Sequence, residues 1–100
     1  MLAIESVYEH YRSEQKAYRK NAALQQAFIC YEPWANMLSY DYARKFPSTE
    51  PDDWRILVQL GIWEGLERCA VTSEVRKHIF YRVKHQIAKE VQLLIAAKQS

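Results

Sequence analysis

The chain has 100 residues, a net charge of +2 and 49% apolar side chains, which predict one globular domain and exclude a disordered chain or a second hydrophobic core. Two glycines and three prolines supply too few turns for an all-β fold, so we expect an all-α bundle of four main helices. No apolar run approaches the ~20 residues of a membrane span, and the first residues do not resemble a signal peptide. We therefore expect a cytoplasmic protein that does not bind membranes.

The first half of the chain is predicted to form two helices. The first covers 2–20, with an inner face of Ile4, Val7, Tyr8, Tyr11 and Tyr18. Asn21 is a candidate N-cap for the second helix, which runs to about residue 46. Pro33 removes one backbone hydrogen bond, so this helix should bend or restart there.

A third helix is predicted over 50–69. Thr49 can accept a hydrogen bond from the amide of residue 52, and Pro51 suits the first turn. Gly61 and Gly65 share one face and each costs about 1 kcal/mol against Ala, which indicates close approach by another helix. The helical spacing of apolar residues predicts a core face made of Ile56, Leu57, Leu60, Trp63 and Leu66.

The fourth predicted helix, 74–97, is basic. Residues 71–100 carry six basic and two acidic side chains. Its apolar residues recur about every fourth position and predict a buried seam of Val75, Ile79, Val83, Ile87, Val91 and Leu94/Ile95. The basic surface, which could contact phosphates while Tyr81 stacks on bases, comprises Arg76, Lys77, Tyr81, Arg82, Lys84, His85 and Lys89. A plain solvated helix face is the alternative that this composition leaves open.

The sequence offers no constellation for catalysis or metal binding. Cys30 and Cys69 lack metal-ligand spacing and are interpreted as reduced, buried thiols. His78 and His85 lie seven positions apart, about 10 Å along a helix, which is too far to share a metal ion. Both glycines lie inside a predicted helix, so no phosphate loop is present. We predict no metal, no cofactor and no enzymatic activity.

Three blocks, taken in order, resemble region 2 of the sigma-70 family of bacterial RNA polymerase initiation factors. The segment 23–38 is similar to the family helix that leads to a Tyr-x-Pro-Leu-Val step, and 41–47 resembles the end of that helix in flagellar-type members. The segment 57–61 with 65–68 is similar to the core-binding helix, written Asp-Leu-Val-Gln-x-Gly. The segment 80–91 resembles the basic, aromatic helix that melts promoter DNA.

The resemblance covers residues 22–94, and the N-terminal helix lies outside it. It implies two contacts. The helix 50–69 would dock on the clamp helices of the largest subunit of the bacterial RNA polymerase core, and the helix 74–97 would contact promoter DNA weakly. Gln59 matches the family's Gln directly, although Ile56 stands where the family has Asp. Our own surface inference adds four acidic residues to the docking face: Asp52, Asp53, Glu64 and Glu67.

The docking half of the resemblance carries over more completely than the DNA-reading half. The connection 71–73 lacks the longer family loop that forms part of the base pocket. The resemblance leaves two alternatives: a fragment of a full sigma factor, or a free-standing region 2 that would need a separate helix-turn-helix partner protein. The alternative function is a helical protein-protein interaction or regulatory module without DNA binding.

Overall fold

A computed structural model describes residues 3–99, and four α-helices make up most of this range. They are α1 (Ile4–Ser13), α2 (Ala17–Lys45), α3 (Pro51–Arg68) and α4 (Val75–Gln99), with a single 3₁₀ turn at Thr72–Glu74. Helix α3 packs against both α2 and α4, and α1 contacts all three other helices. The described range contains no strand, so the predicted all-α bundle is confirmed. Within residues 3–99, no helix combines the length and apolar character of a membrane span.

The boundary between α1 and α2 differs from the prediction. Helix α1 ends at Ser13, and Glu14 and Lys16 adopt extended backbone conformations before α2 begins at Ala17. Asn21 therefore lies inside α2 and is not an N-cap. The residues at the break are good helix formers, so packing of α1 against the rest of the bundle sets this boundary. The inner face of α1 was predicted correctly except for its last member, because Tyr18 is exposed.

Helix α2 continues without interruption through Pro33 to Lys45, so no restart occurs there. The missing proline N–H removes one helical hydrogen bond, and packing of α2 against α1 and α3 outweighs that loss. Helix α2 thereby forms a continuous wall along one side of the bundle.

Helix α3 begins as predicted, but with a different cap. Glu50 is the N-cap residue, and its backbone N–H donates to Asp53 Oδ2 at 2.9 Å. Thr49 does not cap the helix: its hydroxyl donates to the carbonyl of Phe46 and accepts the indole N–H of Trp54 at 2.8 Å. Thr49 therefore anchors the α2–α3 connection to the buried Trp54.

The predicted close approach at the two glycines is confirmed, and the neighbouring helix is α4. A Cβ atom on Gly61 would lie 2.6 Å from Val83 Cα, and one on Gly65 would lie 2.8 Å from Ile79 Cα. Any side chain here would force the two backbones apart. The predicted seam of α4 packs at this contact, and its first four members are buried. Val91 and Leu94 are partly buried, whereas Ile95 is 45% exposed, so Leu94 and not Ile95 continues the seam.

Candidate functional site

The outward face of α3 carries three exposed apolar side chains, Ile56, Leu60 and Trp63, here called the outer strip. Ile56 is 63% exposed and Trp63 is 42% exposed. They were predicted to face the core, and that prediction is wrong. The glycines turn the opposite face of α3 toward α4, and a second apolar series, Trp54, Val58 and Ile62, is buried there. The outer strip is left facing solvent as a result. Leu66, also a member of the predicted core face, is fully buried as predicted.

Gln59 lies between the outer strip and α2. It is half-buried and lines a cavity of about 430 Å³ between α2 and α3. Arg55 lines the same cavity and donates to Asn36 Oδ1 on α2 at 3.0 Å. Gln59 therefore lines the same cavity as a guanidinium group that is held by α2.

Two of the four predicted acidic docking residues are exposed near the strip. Asp52 forms an ion pair with Arg55 one turn along α3, and Asp53 accepts the capping hydrogen bond from Glu50. Both side chains lie at the N-terminal end of α3, where negative charge interacts favourably with the helix dipole. They give the outer strip an acidic end.

The prediction of an exposed Glu64 is wrong. Its side chain points toward α4, Glu64 is only 8% exposed, and its carboxylate accepts a hydrogen bond from the amide of Gln86. Arg82 Nη1 lies 3.8 Å from the other carboxylate oxygen. Glu64 therefore contributes to the α3–α4 interface and is not available to a partner protein.

Glu67 is half-buried and mainly contacts α1. The hydroxyl of Tyr11 donates to its carboxylate, and Arg12 Nη1 donates to its backbone carbonyl at 3.0 Å. Burial of the phenol, followed by this hydrogen bond, raises the pKa of Tyr11 to about 12. The contact of Glu67 with α1 leaves the outer strip, Gln59, Asp52 and Asp53 as the accessible part of the predicted docking face.

The predicted basic surface of α4 divides into two groups. Arg76 forms a two-pronged ion pair with Glu5 of α1, at 2.7 and 3.2 Å, and Arg82 faces the buried Glu64. These two arginines interact with carboxylates of their own chain and belong to the bundle's internal contacts. The other predicted residues remain exposed: Lys77, Tyr81, Lys84, His85 and Lys89.

Aromatic rings accompany these exposed cations. The Lys77 ammonium lies 6.0 Å from the ring centre of Tyr81, and the Lys84 ammonium lies 5.0 Å from that of Phe80. Phe80 also stacks on Trp34 of α2, with ring centres 6.0 Å apart. Phe80 and Trp34 were not predicted as site residues. An aromatic pair at 80 and 81 was a visible signal, whereas the approach of Trp34 from another helix was not.

The two surfaces differ in their chemistry. Within residues 3–99, no group of three histidine, cysteine or carboxylate side chains converges to hold a metal ion. An apolar strip with an acidic end is suited to a protein partner, and exposed rings beside lysines are suited to stacking and phosphate contact. Comparisons of the chain with models of protein families, with curated proteins and with solved structures give no significant match. The sigma-70 resemblance therefore stays a prediction.

Proposed function

We propose that this protein is a non-enzymatic transcription factor of the sigma region 2 type. It docks on the clamp helices of bacterial RNA polymerase through the outer face of α3 and contacts single-stranded promoter DNA through α4. The observation that supports the proposal most strongly is the outer strip. Three large apolar side chains stay in water on the helix whose sequence resembles the family's polymerase-binding helix.

The energetics of the outer strip favour a protein partner. Burying one exposed side chain such as Ile56 is worth about 1.5–3 kcal/mol, so covering the whole strip provides a substantial part of a binding free energy. The adjacent polar groups of Gln59, Asp52 and Asp53 supply hydrogen-bond acceptors and negative charge around the strip. A basic, amphipathic helical hairpin complements such a surface in shape and charge.

The surface of α4 favours a single strand over a duplex. Tyr81 is 59% exposed and presents a ring face to solvent beside Lys77. Unpaired bases can stack on such a ring, while the neighbouring Lys77, Lys84 and Lys89 contact phosphates. The small number of free cations on this surface is compatible with weak DNA binding that becomes productive on the polymerase.

The docking half is tested with an immobilised fragment of the polymerase largest subunit that contains the clamp helices. Ile56→Arg should weaken binding at least about tenfold, because it removes apolar burial and places a charged side chain in the proposed interface. Leu93→Arg is the matched control, since Leu93 is exposed to a similar degree, 65%, on α4. Equal binding of wild type and Ile56→Arg would refute docking through this face.

The DNA half is tested by fluorescence anisotropy with a labelled single-stranded promoter oligonucleotide at several salt concentrations. Each phosphate contact should contribute about −0.7 to the slope of log K against log salt. Tyr81→Ala should lose about 1–3 kcal/mol per stacked base, a factor of roughly 5–150 in affinity. Tyr18→Ala removes an equally exposed tyrosine from α2 and should leave binding unchanged.

The alternative is a protein interaction module without DNA binding, and the outer strip supports it as well. The two experiments separate these functions. Docking that depends on Ile56, combined with no single-strand binding either free or on the polymerase, would favour the interaction module. Single-strand binding that Tyr81→Ala abolishes would favour the transcription factor.

A further inference from the structure

A second apolar surface lies between α2 and α4, on a different part of the molecule from the outer strip. Here the two helices line an open groove of about 470 Å³. Its apolar lining comes from Trp34, Leu38 and Tyr42 of α2, from Phe46 just after α2, and from Phe80, Ile87, Ala88 and Val91 of α4. The groove, named here the α2–α4 groove, contains no carboxylate in its lining.

Two lysines supply the only charges among the residues that line this groove. Lys45 stands on the α2 wall with its ammonium 5.0 Å from the ring centre of Tyr42. Lys84 stands on the α4 wall, 5.0 Å from that of Phe80. Both lysines are exposed. The groove therefore presents an apolar floor between two positively charged walls.

Helix α1 shows what kind of element fits between α2 and α4 in this fold. Within the described range no Cα atom of α2 lies within 8 Å of one in α4, and the gap between the two backbones is spanned either by side chains such as Trp34 and Phe80 or by another structural element. Near the start of α4, α1 is that element: it contacts both helices with its apolar face, and Glu5 on its flank pairs with Arg76 of α4. Farther along, the α2–α4 groove has the same two walls and a comparable combination of apolar floor and basic flank.

We propose that the α2–α4 groove binds an amphipathic helix of a partner protein with apolar anchors on one face and acidic side chains along its flanks. Trp34 to Tyr42 spans about 12 Å along α2, so the bound helix is about two to three turns long. Anchors at i, i+3, i+4 and i+7 occupy the floor, as in other helix-in-groove complexes. Its acidic flanks meet Lys45 and Lys84. This interaction is independent of polymerase docking, which uses α3, and it shares Lys84 and Phe80 with the proposed DNA-contacting surface.

The test uses the full chain and a synthetic probe, measured by fluorescence anisotropy. The probe is a labelled, stapled helix with leucine at i, i+3, i+4 and i+7 and glutamate on both flanks, and a matched peptide has lysine in place of the glutamates. Wild type should prefer the glutamate peptide by about tenfold. Lys45→Glu/Lys84→Glu should reverse that preference, a result that loss of folding could not produce. Lys98→Glu, in the last turn of α4, makes the same kind of charge change about 10 Å beyond the groove and should leave the preference unchanged.

A second variant tests occupancy of the groove itself. Ala88 is exposed in the groove lining, so the indole of Ala88→Trp should fill the groove. The helical circular dichroism signal should stay intact, and the affinity for the glutamate peptide should fall at least about tenfold. Equal binding of both peptides to wild type, or undiminished binding to Ala88→Trp, would overturn the proposal. It would also be overturned if Ala88→Trp converted a dimer of this chain to monomer, or weakened single-stranded DNA binding while leaving peptide binding unchanged. The first result would assign the groove to a second copy, and the second would assign it to nucleic acid.

Discussion

Substitution of Gly61 by alanine tests the contact that orients α3. In an ordinary exposed helix position, Gly→Ala stabilises by about 1 kcal/mol because it lowers the backbone entropy of the unfolded chain. At Gly61 the new methyl group would lie 2.6 Å from both Cα and Cγ2 of Val83 and 2.7 Å from its backbone nitrogen. Rotation of the Val83 side chain cannot relieve contacts with backbone atoms, so α4 must move.

The size of the effect follows from those distances. Ordinary contact begins near 3.4 Å, so α3 and α4 must separate by about 0.8 Å along their buried seam. Overpacking of this kind costs about 1–3 kcal/mol, and the upper end applies because backbone is displaced. After the gain in helix propensity, we expect Gly61→Ala to lower the free energy of unfolding by about 2 kcal/mol. The melting temperature should fall by about 10 °C.

The assay is urea denaturation monitored by circular dichroism, with Ala88→Gly as an internal measure of helix propensity in α4. Gly61→Ala/Gly65→Ala should cost less than the sum of the single variants, because one displacement of α4 relieves both clashes. A Gly61→Ala protein that is more stable than wild type by about 1 kcal/mol would refute the close approach of α3 and α4. The orientation of the outer strip would then lose its physical basis.

Three further predictions concern polar contacts between helices. Because the folded-state pKa of Tyr11 is raised to about 12, the contribution of Tyr11 to stability is complete below about pH 10 and is lost as pH rises toward 12. In urea titrations, Tyr11→Phe should therefore lose less free energy of unfolding than wild type over this alkaline range. Glu64→Ala should lower the free energy of unfolding by about 1–3 kcal/mol because it leaves the Gln86 amide unpaired, and a double-mutant cycle with Gln86→Ala should show coupling. The hydrogen bond from Arg76 lowers the pKa of Glu5, so the contribution of Glu5 to stability is present above the ordinary glutamate pKa and is lost as pH falls through the lowered value. Glu5→Gln should therefore show a smaller acid-induced loss of hydrogen-exchange protection in α1.

The comparison of sequence and structure is most informative in α3, where two apolar series alternate around one helix. The series through Ile56 and Trp63 and the series through Trp54 and Ile62 both have helical spacing, so periodicity alone does not choose between them. The glycines are on the side of the second series and indicate the buried face. Combining the glycine signal with the apolar pattern would have predicted the outer strip correctly.

The candidate site was predictable where it depends on one helix. The exposure of the α4 cations and of Tyr81 could be predicted because these residues lie off the buried seam, and the spacing of that seam is clear in the sequence. Glu64 could not be placed in the same way, because an acidic residue in a predicted exposed position was held by Gln86 and Arg82 from another helix. Trp34 reaches Phe80 from a position 46 residues earlier in the chain, a contact without any local pattern.

The sequence by itself determined the all-α architecture, the extent of α3, the buried seam of α4 and the need for a close helix contact at Gly61 and Gly65. These properties depend on short-range spacing and on backbone propensity, which act within one or two turns. The tertiary structure alone decided which face of α3 stays in water, that the first helix ends at Ser13, and that a groove remains between α2 and α4. Those outcomes depend on which helices meet, and the burial energy of distant partners outweighs the local preferences of each segment.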